Sequence, residues 1–235
     1  MAGRPSEPVV PGGWIREDPV VNAQDQLERA LADYERAVFG GETEAVASGE
    51  LALDAVEAHV ALSRGRLAHA RFLQTHEADE RELADFERAA ELFSRVGDSR
   101  GEAEALFWVA TYHQVIGGDH DAARPLLDRA EAMARDTGDR LTLSYVLRHR
   151  NFVEHAAGRA AEAEELLQES TALRRALGFD AGVAANLIGH AYLAAAQDRA
   201  DEAPALLDEA EALAAAAGAA GVLVWIAEAR GELIG

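Results

Sequence analysis

The chain has 235 residues, 49% hydrophobic and 27% charged, which excludes disorder over its whole length and allows one large domain or two small ones. Its 42 acidic side chains against 22 basic ones, all of them arginine, give a formal net charge of −20; such a field repels a polyanion, so no nucleic-acid partner is expected. Cysteine is absent, which excludes disulfides, thiolate nucleophiles and cysteine-ligated metals and fits a reducing, cytoplasmic setting.

Residues 1–20 read as a flexible tail, with Pro5, Pro8, Pro11 and Pro19 beside Gly12 and Gly13. Trp14 and Ile15 within it are either a small docking element or part of an unstructured end. The start has no apolar run of signal-peptide length, and no stretch of about 18 apolar residues follows, so no membrane span is expected. Residues 21–51 read as an N-terminal helical extension. Its first helix runs to about Phe39 with Leu27, Leu31, Tyr34 and Val38 in one amphipathic stripe, and Gly40-Gly41 ends it. A second helical stretch, from about Glu44 to Gln74, carries Leu53, Val56, Val60, Leu67 and Phe72; its length predicts a kink or break near Gly65. No segment alternates apolar and polar residues over strand lengths, so the β content should be close to zero.

An internal repeat organises the rest, 52–235. Ala123, Ala163 and Ala203 are forty apart, as are Leu127, Leu167 and Leu207, and Gly138, Gly178 and Gly218. A fourth copy lies upstream at a shift of forty-one, where Phe86, Ala89, Leu92 and Gly97 match Leu127, Ala130, Met133 and Gly138. Each copy is the second helix of a pair, with a glycine past its end as a left-handed cap and with Pro125 and Pro204 expected in first helical turns. The first helices are predicted over about Arg100 to Ile116, Leu141 to Ala157 and Ala181 to Ala196, and GVLVWIAEARGELI after Gly218 would close the stack. One such pair cannot bury its apolar face alone, so neighbouring pairs must stack.

These residues resemble the tetratricopeptide repeat (TPR) family. Leu106, Val109-Ala110 and His113 fill the first-helix slots of that family's pattern, and Ala123, Leu127 and Ala130 the second-helix slots. The later copies offer Leu147 with Ala163, Leu167 and Ser170, then Leu187 and Ala191 with Ala203, Leu207 and Ala210. The forty-residue period is similar to the longer-helix variant of bacterial regulator sensor domains and peptide-binding quorum sensors. The resemblance implies an all-α, right-handed superhelical solenoid of stacked antiparallel helix pairs. It departs from the pattern at Arg150-Asn151, where an apolar-small pair is expected, and no helix-turn-helix segment is appended.

Transferring the repeat geometry places Glu104, Phe107, Thr111 and Gln114, then Tyr145, Arg148, Phe152 and His155, then Tyr192, on the concave surface, with His149 at its border. Rings interleaved with polar heads suit a peptide or a small organic molecule, or else serve as packing between neighbouring helices. A second polar set, His113, Arg150, Glu154 and His190, should lie on the opposite side, with Arg150 and Glu154 four apart and able to pair. It reads as an inter-repeat network or, alternatively, with His113, Glu154 and His190 as ligands, as a divalent-metal site. No nucleophile elbow or phosphate loop is present. The expected function is therefore non-enzymatic recognition of a protein or peptide partner without a cofactor, the alternative being a small-molecule or metal protein that uses the polar groups of the groove. Val222 to Ile226 make the last helix apolar on more than one face, which points to self-association, a homodimer, at the C-terminal end.

Overall fold

The computed structural model describes residues 23–235 and, among them, contains helices and no strand. The tail and its Trp14-Ile15 pair lie outside the described residues. The helices are α1 (Ala23–Gly40), α2 (Glu44–Thr75), α3 (Arg81–Val96), α4 (Ser99–Thr111), α5 (His120–Asp136), α6 (Arg140–Ala156), α7 (Ala160–Ala176), α8 (Asp180–Ala196), α9 (Ala203–Ala216) and α10 (Ala220–Leu233). A π-helical turn, Tyr112–Ile116, continues α4, and a 3-10 turn, Ala200–Glu202, precedes α9. The described chain forms two compact units, up to Ser170 and from Thr171 onward, with the division inside α7.

In the larger unit each helix packs on the next, from α1 to α6, and α4 also touches α6. The repeat positions explain why. Phe86, Ala89 and Leu92 on α3 and Ala123, Leu127 and Ala130 on α5 are fully buried, as are Ala163 and Leu167 on α7. Each such leucine stabilises the stack by roughly 1.5–3 kcal/mol. Aspartates start the helices: Asp98 accepts from the amides of Arg100 and Gly101, Asp119 from Ala122 and Asp139 from Thr142. Glycines end them, with φ of 76° at Gly97 and 68° at Gly138, a backbone region that costs a Cβ-bearing residue free energy. Asn151, in the slot that wants a small residue, is buried and donates to the Ala163 carbonyl at 2.8 Å, while the Ser170 hydroxyl donates to the Ser144 carbonyl at 2.6 Å. The polar residue thus ties α6 to α7 through a hydrogen bond.

In the smaller unit α8 packs on α9, and α10 packs on both. Its core holds Val183, Leu187, Leu207 and Ile226. Arg174 is buried, donating to Asn186 Oδ1 at 2.9 Å and to the Gly182 carbonyl at 2.8 Å. On α10 Ile226 and Ala229 are buried, while Val224 and Trp225 are exposed.

Two expectations need correction. The second helix has no break at Gly65: α2 is continuous for 32 residues. Gly65 is there for packing, since a Cβ on it would come within 2.5 Å of the Phe86 ring. Pro204 sits in the first turn of α9, but Pro125 is the sixth residue of α5, past the first turn, so the Asp121 carbonyl loses its helical donor.

Candidate functional site

Three helices of the larger unit, α2, α4 and α6, share a row of rings. Trp108 on α4 stacks on Phe86 of α3 at 5.4 Å and meets His69 of α2 edge-on at 5.4 Å. Phe107 follows at 5.2 Å from Trp108, and it touches Tyr145 at 5.7 Å and His149 at 5.0 Å, both on α6. His149 then meets Phe152 at 5.5 Å. Offset and edge-on ring pairs at such distances add roughly 0.5–1.5 kcal/mol each beyond area burial. The row therefore links three helices as one rigid strip.

Polar groups fix the strip at both ends. Arg66 of α2 ion-pairs with Glu104 of α4, and its guanidinium lies 5.9 Å from the Trp108 ring centre. Arg148 lies 5.2 Å over the Phe152 ring. The π turn after α4 carries Gln114, which is buried and donates its amide to the His149 carbonyl at 3.0 Å. That bond sets the amide orientation, so Gln114 Oε1 accepts from His149 Nδ1 at 2.6 Å, and the same amide nitrogen donates to His120 Nδ1 at 3.2 Å. Below His69, Nδ1 lies 2.9 Å from Glu82 Oε1 in a buried pair. Burial pushes the Glu82 carboxyl above its ordinary range despite the pull of His69.

The sequence-predicted residues divide by depth. Glu104, Phe107, Thr111 and Gln114 are buried, and the Thr111 hydroxyl is spent on the Phe107 carbonyl at 2.9 Å. Tyr145, Arg148, His149 and Phe152 are half-buried and present surface, and His155 is exposed at the end of α6. Tyr192 belongs to the smaller unit, where its hydroxyl donates to Glu232 of α10 at 2.7 Å; burial, with Glu232 beside it, pushes the phenol up to about 12.

The second polar set is not assembled as expected. Arg150 and Glu154 do not pair with each other: Arg150 reaches Asp128 at 3.3 Å and Glu131 on α5, while Glu154 is held by Arg124 at 2.6 Å and by Arg159. The His113 ring meets Tyr112 edge-on at 6.0 Å, and His190 Nε2 hydrogen-bonds Thr171 at 3.1 Å. The metal alternative loses its carboxylate, because both Glu154 oxygens are engaged by guanidinium groups. No three His, Asp or Glu side chains are gathered as metal ligands among the described residues.

Arg66, His69, Trp108 and His120 escaped sequence reasoning. For Arg66 a signal existed: the shift of forty-one that aligns α3 with α5, subtracted from Phe107, lands on position 66 (107 − 41). Elsewhere, an open cleft of about 410 Å³ between α3, α4 and α5 is lined by Leu106 and by the charged heads of Glu91, Arg95, Glu102 and Arg129. Arg129 ion-pairs with Glu102 there.

No protein-family model matches the chain, and no curated protein does. Among solved structures, a Rap protein complexed with Competence and Sporulation Factor is similar at a TM-score of 0.60 and 15% identity, over 90% of this chain and 59% of that one. The chain thus spans less than two thirds of that neighbour's length. At this identity the likeness is one of fold, and the fold is a TPR-like helical repeat.

Proposed function

We propose that this chain is a non-enzymatic recognition protein that holds a peptide or protein segment on the α2–α4–α6 face. Tyr145, Arg148, His149 and Phe152 make the contacts, and Glu104, Phe107, Thr111 and Gln114 form the floor that keeps them in place. The observation that carries this reading is the ring row from His69 through Trp108 and Phe107 to Phe152, fixed in advance by the Gln114–His149 bonds. Rings supply a large contact area at little entropic cost, and a surface already ordered loses little on binding. The fold neighbour, a Rap protein complexed with its factor, supports a binding use of this architecture.

The test is selection of a random-peptide display library on the full chain. Enriched peptides should lose at least tenfold in affinity on Tyr145→Ala and Arg148→Ala while Trp225→Ala leaves them unchanged. Equal binding to all three variants would place the site elsewhere. Native mass spectrometry of the purified protein distinguishes the alternative occupant of the same rings, a small organic molecule. We further place self-association at the exposed Val224 and Trp225; sedimentation of Trp225→Glu should then show a smaller species than the parent, and identical sedimentation at all concentrations removes that surface.

A further inference from the structure

The N-terminal hairpin packs with its apolar stripe turned outward. Helix α1 meets α2 at Ala30 and Asp33, with Asp33 Cβ only 3.3 Å from where a Cβ on Gly49 would lie, and Ala37, half-buried, follows on the same helical face. Leu27, Leu31, Tyr34 and Val38 each follow the packing face by one residue, about 100° round the helix. They remain 47%, 60%, 58% and 54% exposed. On α2, Ala45 and Ala52 are buried on the same helical face as Gly49, and again the next residue is apolar and open: Val46 and Leu53, followed at the same seven-residue interval by Val60.

Because the two helices run antiparallel, a rotation of one residue in the same sense on each turns both rows to the same side of the hairpin. Two apolar rows therefore lie side by side at helix–helix spacing, about 8–10 Å, with a furrow between them. The 4-3-4 spacing of the α1 row is the seam pattern into which another helix packs. Acidic side chains flank both outer edges: Glu28 and Glu35 beyond the α1 row, Glu50 and Glu57 beyond the α2 row, all exposed. Glu28 accepts from Gln24, and Glu57 from Arg88 at 2.9 Å.

We propose that this furrow docks an amphipathic helix of a partner protein, with an apolar stripe flanked on both sides by lysine or arginine. The rows supply area, and the two acidic edges select the charge. A second copy of this hairpin fits the furrow poorly, since its own Glu28, Glu35, Glu50 and Glu57 would face these glutamates.

The test uses fluorescence anisotropy with a synthetic helical peptide bearing a leucine stripe and lysine flanks, against an isomer with glutamate flanks. The full chain should bind the lysine form at least tenfold more tightly than the glutamate form. Leu31→Glu and Leu53→Glu, both at exposed positions and with unchanged helical circular dichroism, should weaken it at least tenfold. Nonspecific attraction to an acidic protein would instead be unchanged or strengthened by the added charge, and that result overturns the proposal. Glu28→Lys with Glu35→Lys should lower the affinity several-fold while leaving the fold intact. Binding that appears only after removal of residues 1–22 would make the chain's own N-terminal segment the occupant. Sedimentation as a dimer that Leu31→Glu dissociates would make it a second copy. Either outcome defeats the proposal.

Discussion

Gln114 and His149 hold each other twice: the amide nitrogen donates to the histidine's backbone carbonyl at 3.0 Å, and the amide oxygen accepts from its ring Nδ1 at 2.6 Å. One residue of a π turn thereby fixes both the backbone and the ring of a residue 35 positions on. Because His149 sits between Phe107 and Phe152, the bond sets the middle of the ring row.

Gln114→Ala removes both bonds and leaves a ring N–H and a carbonyl of the half-buried His149 without this partner. The expected loss is about 1–3 kcal/mol of stability, read from urea midpoints. The hydrogen bond to Gln114 should make the Nδ1 proton of His149 visible in the parent's NMR spectrum, and that signal should vanish in the variant. Gln114→Leu, which keeps the volume, should do no better, because the loss is of polar partners.

Gly65→Ala sets two effects against each other. Alanine is the better helix former by up to about 1 kcal/mol, yet the new Cβ would lie 2.5 Å from a Phe86 ring carbon. Phe86 is fully buried and stacked on Trp108, so the ring has nowhere to go and overpacking costs roughly 1–3 kcal/mol. The variant should melt lower than the parent. Adding Phe86→Leu should recover part of the loss, so that the double mutant is more stable than the two single effects sum to.

The same residue marks where sequence reading succeeded and stopped. Spacing alone identified the second helices, because Leu127, Leu167 and Leu207 are core positions with one requirement, burial, and the structure buries all three. The length of the second helical stretch predicts a break near Gly65, but α2 runs on through it, packed against the Phe86 ring. The spacing of Arg150 and Glu154, four apart on one helix, allows them to pair. Aspartate and glutamate on the neighbouring α5 lie within its reach, and a long side chain can choose among helices in a way that spacing within one helix does not reveal. The α1 stripe was legible as apolar, but which side of α1 faces α2 was decided by the small residues Ala30, Ala37 and Gly49, which allow close approach. On the proposed binding face, helical phase predicts that Tyr145, Arg148 and Phe152 share one side of α6, and all three are half-buried. Trp108 and His69 do not follow from phase, since their contact joins helices through ring size and orientation.

Glu82 should make stability fall as pH rises. Its carboxyl is buried, and burial holds its folded value above the ordinary 4.5, against the opposing pull of His69 and Arg71 and with a small push from Asp79. Between the ordinary and the raised value the folded state keeps a proton the unfolded state has lost, so stability decreases across that window, and above it the buried charge costs in full. Glu82→Gln should therefore be the more stable protein at neutral pH, by on the order of 1 kcal/mol, with the advantage shrinking to nothing below about pH 4.5. A variant less stable than the parent at neutral pH would show that the carboxylate is stabilised in place.

Glu154 should behave with the opposite sign. Burial raises its carboxyl, but the hydrogen bonds and charges of Arg159 and Arg124 outweigh burial and hold it below 4.5. Its contribution is present above the ordinary value and is lost as pH falls through the lower folded value. Glu154→Gln should thus cost about 1.5–3 kcal/mol at neutral pH, the range for hydrogen bonds to charged groups, and nothing in strong acid. Its Arg124 and Arg159 partners are 34% and 41% exposed, so added salt should reduce the cost without abolishing it. Urea titrations of both glutamine variants from pH 3 to 8 should give difference curves of opposite sign, which separates a carboxylate stabilised by its arginines from one merely enclosed by the core. If Glu154→Gln instead stabilises the protein at neutral pH, the arginine pairing of Glu154 contributes less than its burial costs, and α5 and α6 are held together by Leu127 and Val146 without its help.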